Sequence, residues 1–304
     1  MDLDHIVAVN QFTRSMIEEL FAAANDLRSE SRHQDLLRGK ILATLFYEPS
    51  TRTRLSFESA MLRMGGQVIA TENAREFSSA IKGESVEDTV RIVAGYADAI
   101  VIRHFEQGAA ERAAAVSPVP IINAGDGPGE HPTQALLDLY TIQSELGRLD
   151  DLKVALVGDL RYGRAARSLA LMFALTERTQ LLFVAPEFVA MGGDVRATLA
   201  AHDVSFRDEP NLFRALHEVD VVYQTRIQRE RFATLAEYDA VRDVYVIDEK
   251  ALAQLSPSAV ILHPLPRVNE IASTVDADPR AAYFRQAHNG VYLRMALLKA
   301  LLHR

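Results

Sequence analysis

Apolar residues follow two alternating rhythms along this chain. Short, nearly continuous apolar runs predict strands at 41–47, which reads as buried, and at 67–71, 99–103 and 119–123. Between and around them, apolar positions recur at helical spacing and predict helices over 14–27, 51–64, 86–96 and 133–146. In the second of these helices Phe57, Ala60, Met61 and Met64 fall at i, i+3, i+4 and i+7, and Gly65-Gly66 stops the pattern. Ser85 stands at the N-cap position of the third, with Glu87 and Asp88 in its first turn. A second series opens with the strand Val154-Ala155-Leu156-Val157. A glycine-containing turn to Arg164 follows, then a helix through about 174. Further strands are expected at 180–184, 219–223, 244–247 and 259–262. The chain ends in a helix carrying Met295, Leu297, Leu298, Leu301 and Leu302.

Strands alternating with helices predict α/β architecture with largely parallel sheets. Two α/β domains joined by the helix 133–146 is the simplest arrangement. Parallel sheets bind ligands beyond the carboxyl ends of their strands. The loops after Tyr47, Ile102, Asn123, Val157, Tyr223 and Leu262 are therefore the places to seek a site.

The first of these loops carries Ser50-Thr51-Arg52-Thr53-Arg54 at a strand-to-helix junction. Three hydroxyls and two guanidinium groups crowd a helix start, where backbone N–H groups lack partners and the macrodipole is positive. That suits a dianionic phosphate. The stretch lacks the Gly-x-x-x-x-Gly-Lys of a nucleotide P-loop, which points to a small phosphorylated substrate. The plainer reading is that Ser50 caps the helix and the arginines are solvated. Gly158-Asp159-x-x-x-Gly163 is not the spacing of a dinucleotide fingerprint.

Composition narrows the class. The 304 residues are 48% hydrophobic, enough for packed cores, and no apolar run is long enough to span a bilayer. There are no cysteines, which excludes disulfides, thiol catalysis and cysteine-based zinc sites. The first residues show no signal-peptide pattern, and a cytoplasmic location is expected. A net charge of −8 argues against a nucleic-acid surface. A locally basic loop in an acidic protein fits a small anionic ligand.

The remaining loops carry Arg103-His104, His131-Pro132-Thr133-Gln134, Arg164, Arg226-Ile227-Gln228 and His263-Pro264-Leu265-Pro266-Arg267. A separate segment supplies Ser78 and Lys82-Gly83-Glu84. With Ser-Thr-Arg-Thr-Arg, this set resembles the carbamoyltransferase family nearly end to end. Arg226-Ile227-Gln228 and His263-Pro264-Leu265-Pro266 are similar to its aspartate branch. The ornithine branch typically has a cysteine in the regions of His131-Pro132-Thr133-Gln134 and His263-Pro264-Leu265-Pro266, and this chain has none.

The resemblance implies two doubly wound parallel-sheet domains. Residues 1–147 would bind carbamoyl phosphate, with 286–304 returning to them, and 148–285 would bind aspartate. It implies carbamoyl transfer to the α-amine of L-aspartate in pyrimidine biosynthesis, without metal or cofactor. Ser50, Thr51, Arg52, Thr53 and Arg103 would hold the phosphate. His131, Gln134, Leu265 and Pro266 would complete the carbamoyl phosphate site, with Gln134 and the Leu265 carbonyl orienting the carbamoyl amino group. Arg52, Thr53, Arg103 and His131 form the implied catalytic set. Arg164, Arg226, Gln228 and Lys82 would hold aspartate.

Ser78 and Lys82 would come from a neighbouring subunit, which implies a homotrimer with shared sites. Gln107-Gly108-Ala109-Ala110 is similar to catalytic chains that associate with separate nucleotide-binding regulatory chains. Asn269, where an acidic residue is common, and the segment 73–77 depart from familiar members. Arg54 is expected to brace the phosphate loop, with Glu84 a candidate partner, and Arg267 to pair with Glu48 or touch substrate. His104 and His263 are expected to pack or hydrogen-bond. Other readings are a different amine acceptor, a silent homologue acting as a scaffold, and a dinucleotide-dependent enzyme.

Overall fold

The computed structural model describes residues 3–29, 33, 35–74, 83–227, 234, 238 and 244–303. The chain divides into two compact units, Met1–Leu137 with His288–Arg304, and Asp138–Ala287. Each is built on a parallel sheet covered by helices.

Unit 1 contains α1 (Arg14–Ser29), β1 (Ile41–Phe46), α2 (Thr51–Arg63), β2 (Gln67–Glu72), α3 (Val86–Val93), β3 (Ala99–His104), α4 (Ala109–Val116) and β4 (Ile121–Asp126). Its four strands lie in the order β2-β1-β3-β4, all parallel. A parallel sheet is covered on both faces, so its strands need apolar residues at successive positions rather than alternate ones. β1 and β3 show this: Leu42 to Phe46 and Ala99 to Ile102 are buried. β2 is the sheet edge, and Ile69 is exposed. One core packs Ala43, Leu45, Ile100 and Ile102 against Val86, Val90 and Ala113.

α5 (Pro132–Leu146) carries the chain into unit 2, which contains β5 (Lys153–Val157), α6 (Arg164–Met172), β6 (Gln180–Val184), α7 (Gly193–Ala201), β7 (Ser205–Asp208), α8 (Leu212–Leu216), β8 (Val221–Gln224), α9 (Glu249–Leu252) and β9 (Val260–Leu262). The five strands run parallel in the order β7-β6-β5-β8-β9. α10 (Tyr283–Leu302) then returns the chain to unit 1. There the buried Arg294 guanidinium lies 4.9 Å from the Phe57 ring of α2.

Some expectations require revision. The apolar run 244–247 is not a strand; Ile247 makes an isolated bridge to Ile271 while Tyr245 and Ile247 fill the core. Only Tyr245 and Ile247 of the run are buried, and Val244 is exposed. α4, α7, α8, α9 and β7 were not expected. α4 has alanine at five of its eight positions, which favours helix by propensity but gives its buried face, Ala109, Ala110 and Ala113, little contrast in the sequence. β7 is a charged edge strand, Ser205-Phe206-Arg207-Asp208, whose polarity hides its pairing with β6.

Both sheets contain a point where strand order reverses. In unit 1 it lies between β1 and β3, and in unit 2 between β5 and β8. Such reversals leave a crevice at the carboxyl ends of the two strands, since their crossover helices depart to opposite sides.

Candidate active site

The unit 1 reversal gathers the phosphate candidates. Phe46 at the end of β1 is in register with Arg103 of β3, and Tyr47 N–H donates to the Arg103 carbonyl at 2.8 Å. The chain then turns through Glu48 and Pro49 into α2. Ser50 is the N-cap residue, its carbonyl accepting from Arg54 N–H at 3.0 Å. Its hydroxyl makes no capping bond, so the plain capping role is only half filled. Thr53 is buried in the first turn, whereas Thr51 and Arg52 are exposed. Arg52 makes no hydrogen bond or ion pair with any described residue. Partial desolvation lowers its pKa from the usual arginine value, as expected for a cation held near protein without a counterion.

Arg54 behaves differently. It pairs with Glu72 of β2 at 2.8 Å and lies 3.6 Å from Glu58, which accepts from Thr44 Oγ1 at 3.0 Å. The expected bracing is therefore made through Glu72 and Glu58. Glu84 instead accepts from Thr89.

Arg103 donates from Nη1 to the Ala124 carbonyl at 3.1 Å, and its Nε lies 3.6 Å from Glu48. A register shift between Ile102 and His104 interrupts the β3–β4 pairing, which resumes with His104 opposite Asp126. Beyond it, the Asp126 carboxylate accepts from Gly108 and Glu130 N–H groups, both at 2.8 Å. These bonds fold the segment leading to His131. Gly127 is required in this turn, with φ 53 and a missing Cβ that would strike the Phe105 carbonyl. His131 and Gln134 are buried at the start of α5. His131 Nδ1 lies 3.5 Å from Thr133 Oγ1, and the His131 carbonyl accepts from Gln134 N–H at 3.0 Å.

The unit 2 reversal gathers the aspartate candidates. Thr225, just past β8, donates both its N–H and its hydroxyl to the Val157 carbonyl at 2.8 Å. Gly158 has φ 111, and a Cβ there would strike the Thr225 carbonyl. The loops bearing Arg164 and Arg226 are thus fastened together at their roots. The Asp159 carboxylate accepts from Arg161 and Tyr162 N–H groups at 3.2 and 2.9 Å and shapes the turn into α6, which Arg164 begins. Arg164 and Arg226 are both half-buried.

The loop after β9 is wired throughout. The His263 N–H donates to Gln286 Oε1 at 2.9 Å, and Gln286 Nε2 donates to buried Asp138 at 2.6 Å. Asp138 also accepts from the Tyr223 hydroxyl at 2.7 Å. Burial, followed by the Asp138 charge, raises the Tyr223 pKa well above its ordinary value, so it stays a donor. Asp138, Tyr223, Gln286 and Glu270 were absent from the candidates. A single acid within Leu136-Leu137-Asp138-Leu139 was the available signal. Leu265 adopts φ 54 and precedes a cis bond to Pro266. Arg267 pairs with Asp276 and donates to the Tyr283 hydroxyl at 3.0 Å, so its ion pair lies within unit 2. Ser78, Lys82 and Gln228 lie outside the described residues.

Residues 4–144 match the aspartate/ornithine carbamoyltransferase carbamoyl-P binding domain, and residues 150–301 match the Asp/Orn binding domain of the same family. The chain belongs to the aspartate/ornithine carbamoyltransferase family. Within it, the chain is 55% identical over 305 residues to the chloroplastic aspartate carbamoyltransferase of Arabidopsis thaliana, covering 99% of this chain and 78% of that one. A chloroplastic aspartate carbamoyltransferase of Oryza sativa subsp. japonica is 53% identical over 99% of this chain and 85% of its own length. The aspartate transcarbamoylase of Trypanosoma cruzi, solved with carbamoyl phosphate and aspartate, superposes with a TM-score of 0.91 at 39% identity. That match covers 98% of this chain and 97% of the other.

These carbamoyltransferase relatives overturn the cytoplasmic expectation, because the plant proteins are named chloroplastic. The expectation rested on an absence of cysteine and on the first few residues. Neither has a physical link that separates cytoplasm from plastid.

Proposed function

We infer that this chain transfers the carbamoyl group of carbamoyl phosphate to the α-amine of L-aspartate, releasing N-carbamoyl-L-aspartate and phosphate, a step of pyrimidine biosynthesis. The observation that carries the reading is the placement of arginines at both strand-order reversals. Arg52 and Arg103 stand at one, and Arg164 and Arg226 at the other. The solved Trypanosoma cruzi relative, with both substrates named in its complex, supports it.

In this reading unit 1 binds the phosphate through Ser50, Thr51, Arg52, Thr53 and Arg103. Unit 2 binds the two carboxylates of aspartate through Arg164 and Arg226, whose planar guanidinium groups match carboxylates bidentately. Gln228 and Lys82 assist. The amine attacks the carbonyl carbon; the new C–N bond forms as the C–O bond to phosphate breaks. Negative charge grows on the carbonyl oxygen, where Thr53, Arg103 and His131 stabilise it. Gln134 and the Leu265 carbonyl, beside Pro266, orient the carbamoyl amino group. The departing phosphate takes the amine proton, so no side chain need act as general base.

The working assembly is a homotrimer in which Ser78 and Lys82 serve a neighbouring site. The edge strand β2 supports this, with Ile69 exposed there and Leu55, Leu62 and Tyr96 exposed elsewhere in unit 1. Unpaired sheet edges and exposed apolar residues favour association. A separate regulatory chain is a candidate partner of the same assembly, on the resemblance of Gln107-Gly108-Ala109-Ala110 alone.

The test is product formation by the purified protein, with L-aspartate and L-ornithine in parallel and mass measured in the same sample. Carbamoyl aspartate from aspartate alone, made by a trimer, is the expected result. No product from an intact trimer overturns the reading. Activity from a monomer overturns the shared-site assembly.

A further inference from the structure

The segment His263–Glu270 contains two prolines that donate no backbone hydrogen bond, and a leucine at φ 54, where a bulky side chain is disfavoured. Such a conformation persists only when its surroundings over-determine it. One imidazole and one carboxylate do so here. Leu265 N–H donates to His263 Nδ1 at 2.7 Å. His263 Nδ1 is therefore unprotonated, and the ring carries its proton on Nε2. That proton is donated to Glu270 Oε1 at 2.8 Å. The second Glu270 oxygen accepts from Val268 and Asn269 N–H groups at 3.0 and 3.1 Å. Both side chains are buried. Burial opposes a charge on Glu270, yet the His263 and backbone donors together hold its pKa below the usual range. The pair thus clamps the segment from both ends, and its inner end is the Leu265 peptide.

We propose that His263 and Glu270 are positioning residues that aim the Leu265 carbonyl at the carbamoyl amino group, and so let the enzyme tell carbamoyl phosphate from inorganic phosphate. This rests on the carbamoyl-transfer reading. Inorganic phosphate has no amino group, so its binding is blind to where the Leu265 carbonyl points. A merely structural role would weaken both ligands together.

The two ring nitrogens can be separated by substitution. His263→Asn supplies an amide oxygen near Nδ1, and His263→Gln supplies an amide N–H near Nε2. Calorimetric titration of the trimeric variants with carbamoyl phosphate and with inorganic phosphate reads both affinities without turnover. His263→Gln, which loses the Leu265 acceptor, is expected to weaken carbamoyl phosphate about tenfold while inorganic phosphate stays within about twofold. His263→Asn recovers part of that loss. Glu270→Gln gives a smaller loss of the same kind, and it decides the matter should the histidine variants fail to fold. Equal shifts for both ligands, or no shift in a folded variant, overturn the positioning role. A wild-type protein that binds both ligands but makes no carbamoyl aspartate overturns the underlying reading instead.

Discussion

The β1–α2 turn and the loop after β9 both follow parallel strands, and they are built on opposite plans. In the first, Arg52 is left without a partner among the described residues and the Ser50 hydroxyl makes no capping bond. In the second, the His263 N–H, both ring nitrogens of His263 and both oxygens of Glu270 are engaged. The difference follows from what each region would present. An anion brings its own acceptors, so a donor such as Arg52 can await it without a protein carboxylate, while Arg103 is only loosely paired with Glu48 at 3.6 Å. A backbone carbonyl has no side-chain torsion with which to find its target. It must be aimed by fixing the peptide on either side. Arg54, two residues from Arg52, shows the first plan's boundary: it is engaged by Glu72 and Glu58 and holds the helix rather than a ligand.

The largest expected effect tests that boundary. Arg52→Ala should lower kcat about 10²–10³-fold, the usual loss for a donor to developing charge, while the melting temperature hardly moves. Arg54→Ala should show the reverse emphasis, with a clear loss of stability and a smaller loss of rate. Steady-state kinetics and thermal melts on the two variants decide this. A larger rate loss from Arg54→Ala than from Arg52→Ala would break the distinction between committed and uncommitted guanidinium groups.

How far these regions could be read from sequence follows the same division. The junction that carries Ser-Thr-Arg-Thr-Arg was legible because its residues are consecutive and stand at a recognisable strand-to-helix switch. Strands β1, β3 and β4 were legible because burial on both faces writes itself as apolar runs. The wiring around His263 was not legible. It joins Asp138, Tyr223, Gln286 and Glu270, which stand far apart in the chain and share no spacing. For the same reason Glu84 was named as the Arg54 partner when β2, in register beside β1, brings Glu72 there. Side-chain pairing across a sheet depends on strand order, and strand order is a tertiary fact.

Asp138 carries the next largest effect. Asp138→Ala leaves the Tyr223 hydroxyl and the Gln286 amide as buried donors without their acceptor. The expected loss is about 1–3 kcal/mol of unfolding free energy for each stranded group, read by urea titration. A variant as stable as wild type would mean that water replaces the carboxylate and that the β9 loop is less firmly wired than its geometry suggests. A smaller effect contrasts two serines at helix starts. Ser85 accepts from Asp88 N–H at 3.1 Å, whereas Ser50 makes no capping bond. Ser85→Ala should cost about 1 kcal/mol in stability. Ser50→Ala should cost almost none but raise the KM for carbamoyl phosphate. Equal stability losses would return Ser50 to an ordinary cap.

The smallest effect separates the regions by pH. His104 packs against Tyr47 and Phe105, and burial lowers its pKa below the ordinary 6.5; the Glu106, Glu48 and Asp126 charges oppose that shift while Arg112 adds to it. The folded state therefore binds fewer protons than the unfolded one near that pH, so stability falls as pH drops below about 6.5. His5, also in unit 1 and also lowered mainly by burial, acts in the same direction. Glu270 in unit 2 differs. Its carboxyl lies below the ordinary 4.5, so its stabilising contribution is present above that value and is lost only as pH falls through its lower folded pKa. Mild acid should loosen the turn around His104 before it loosens the loop around Glu270. Hydrogen exchange at about pH 7 and about pH 5.5, corrected for intrinsic rates, reads each segment separately. Faster opening at 104–108 with 265–270 unchanged is expected, and His104→Gln should remove much of the difference. Opening of 265–270 first would mean that the loop after β9, rather than the turn around buried His104, is the first acid-sensitive element.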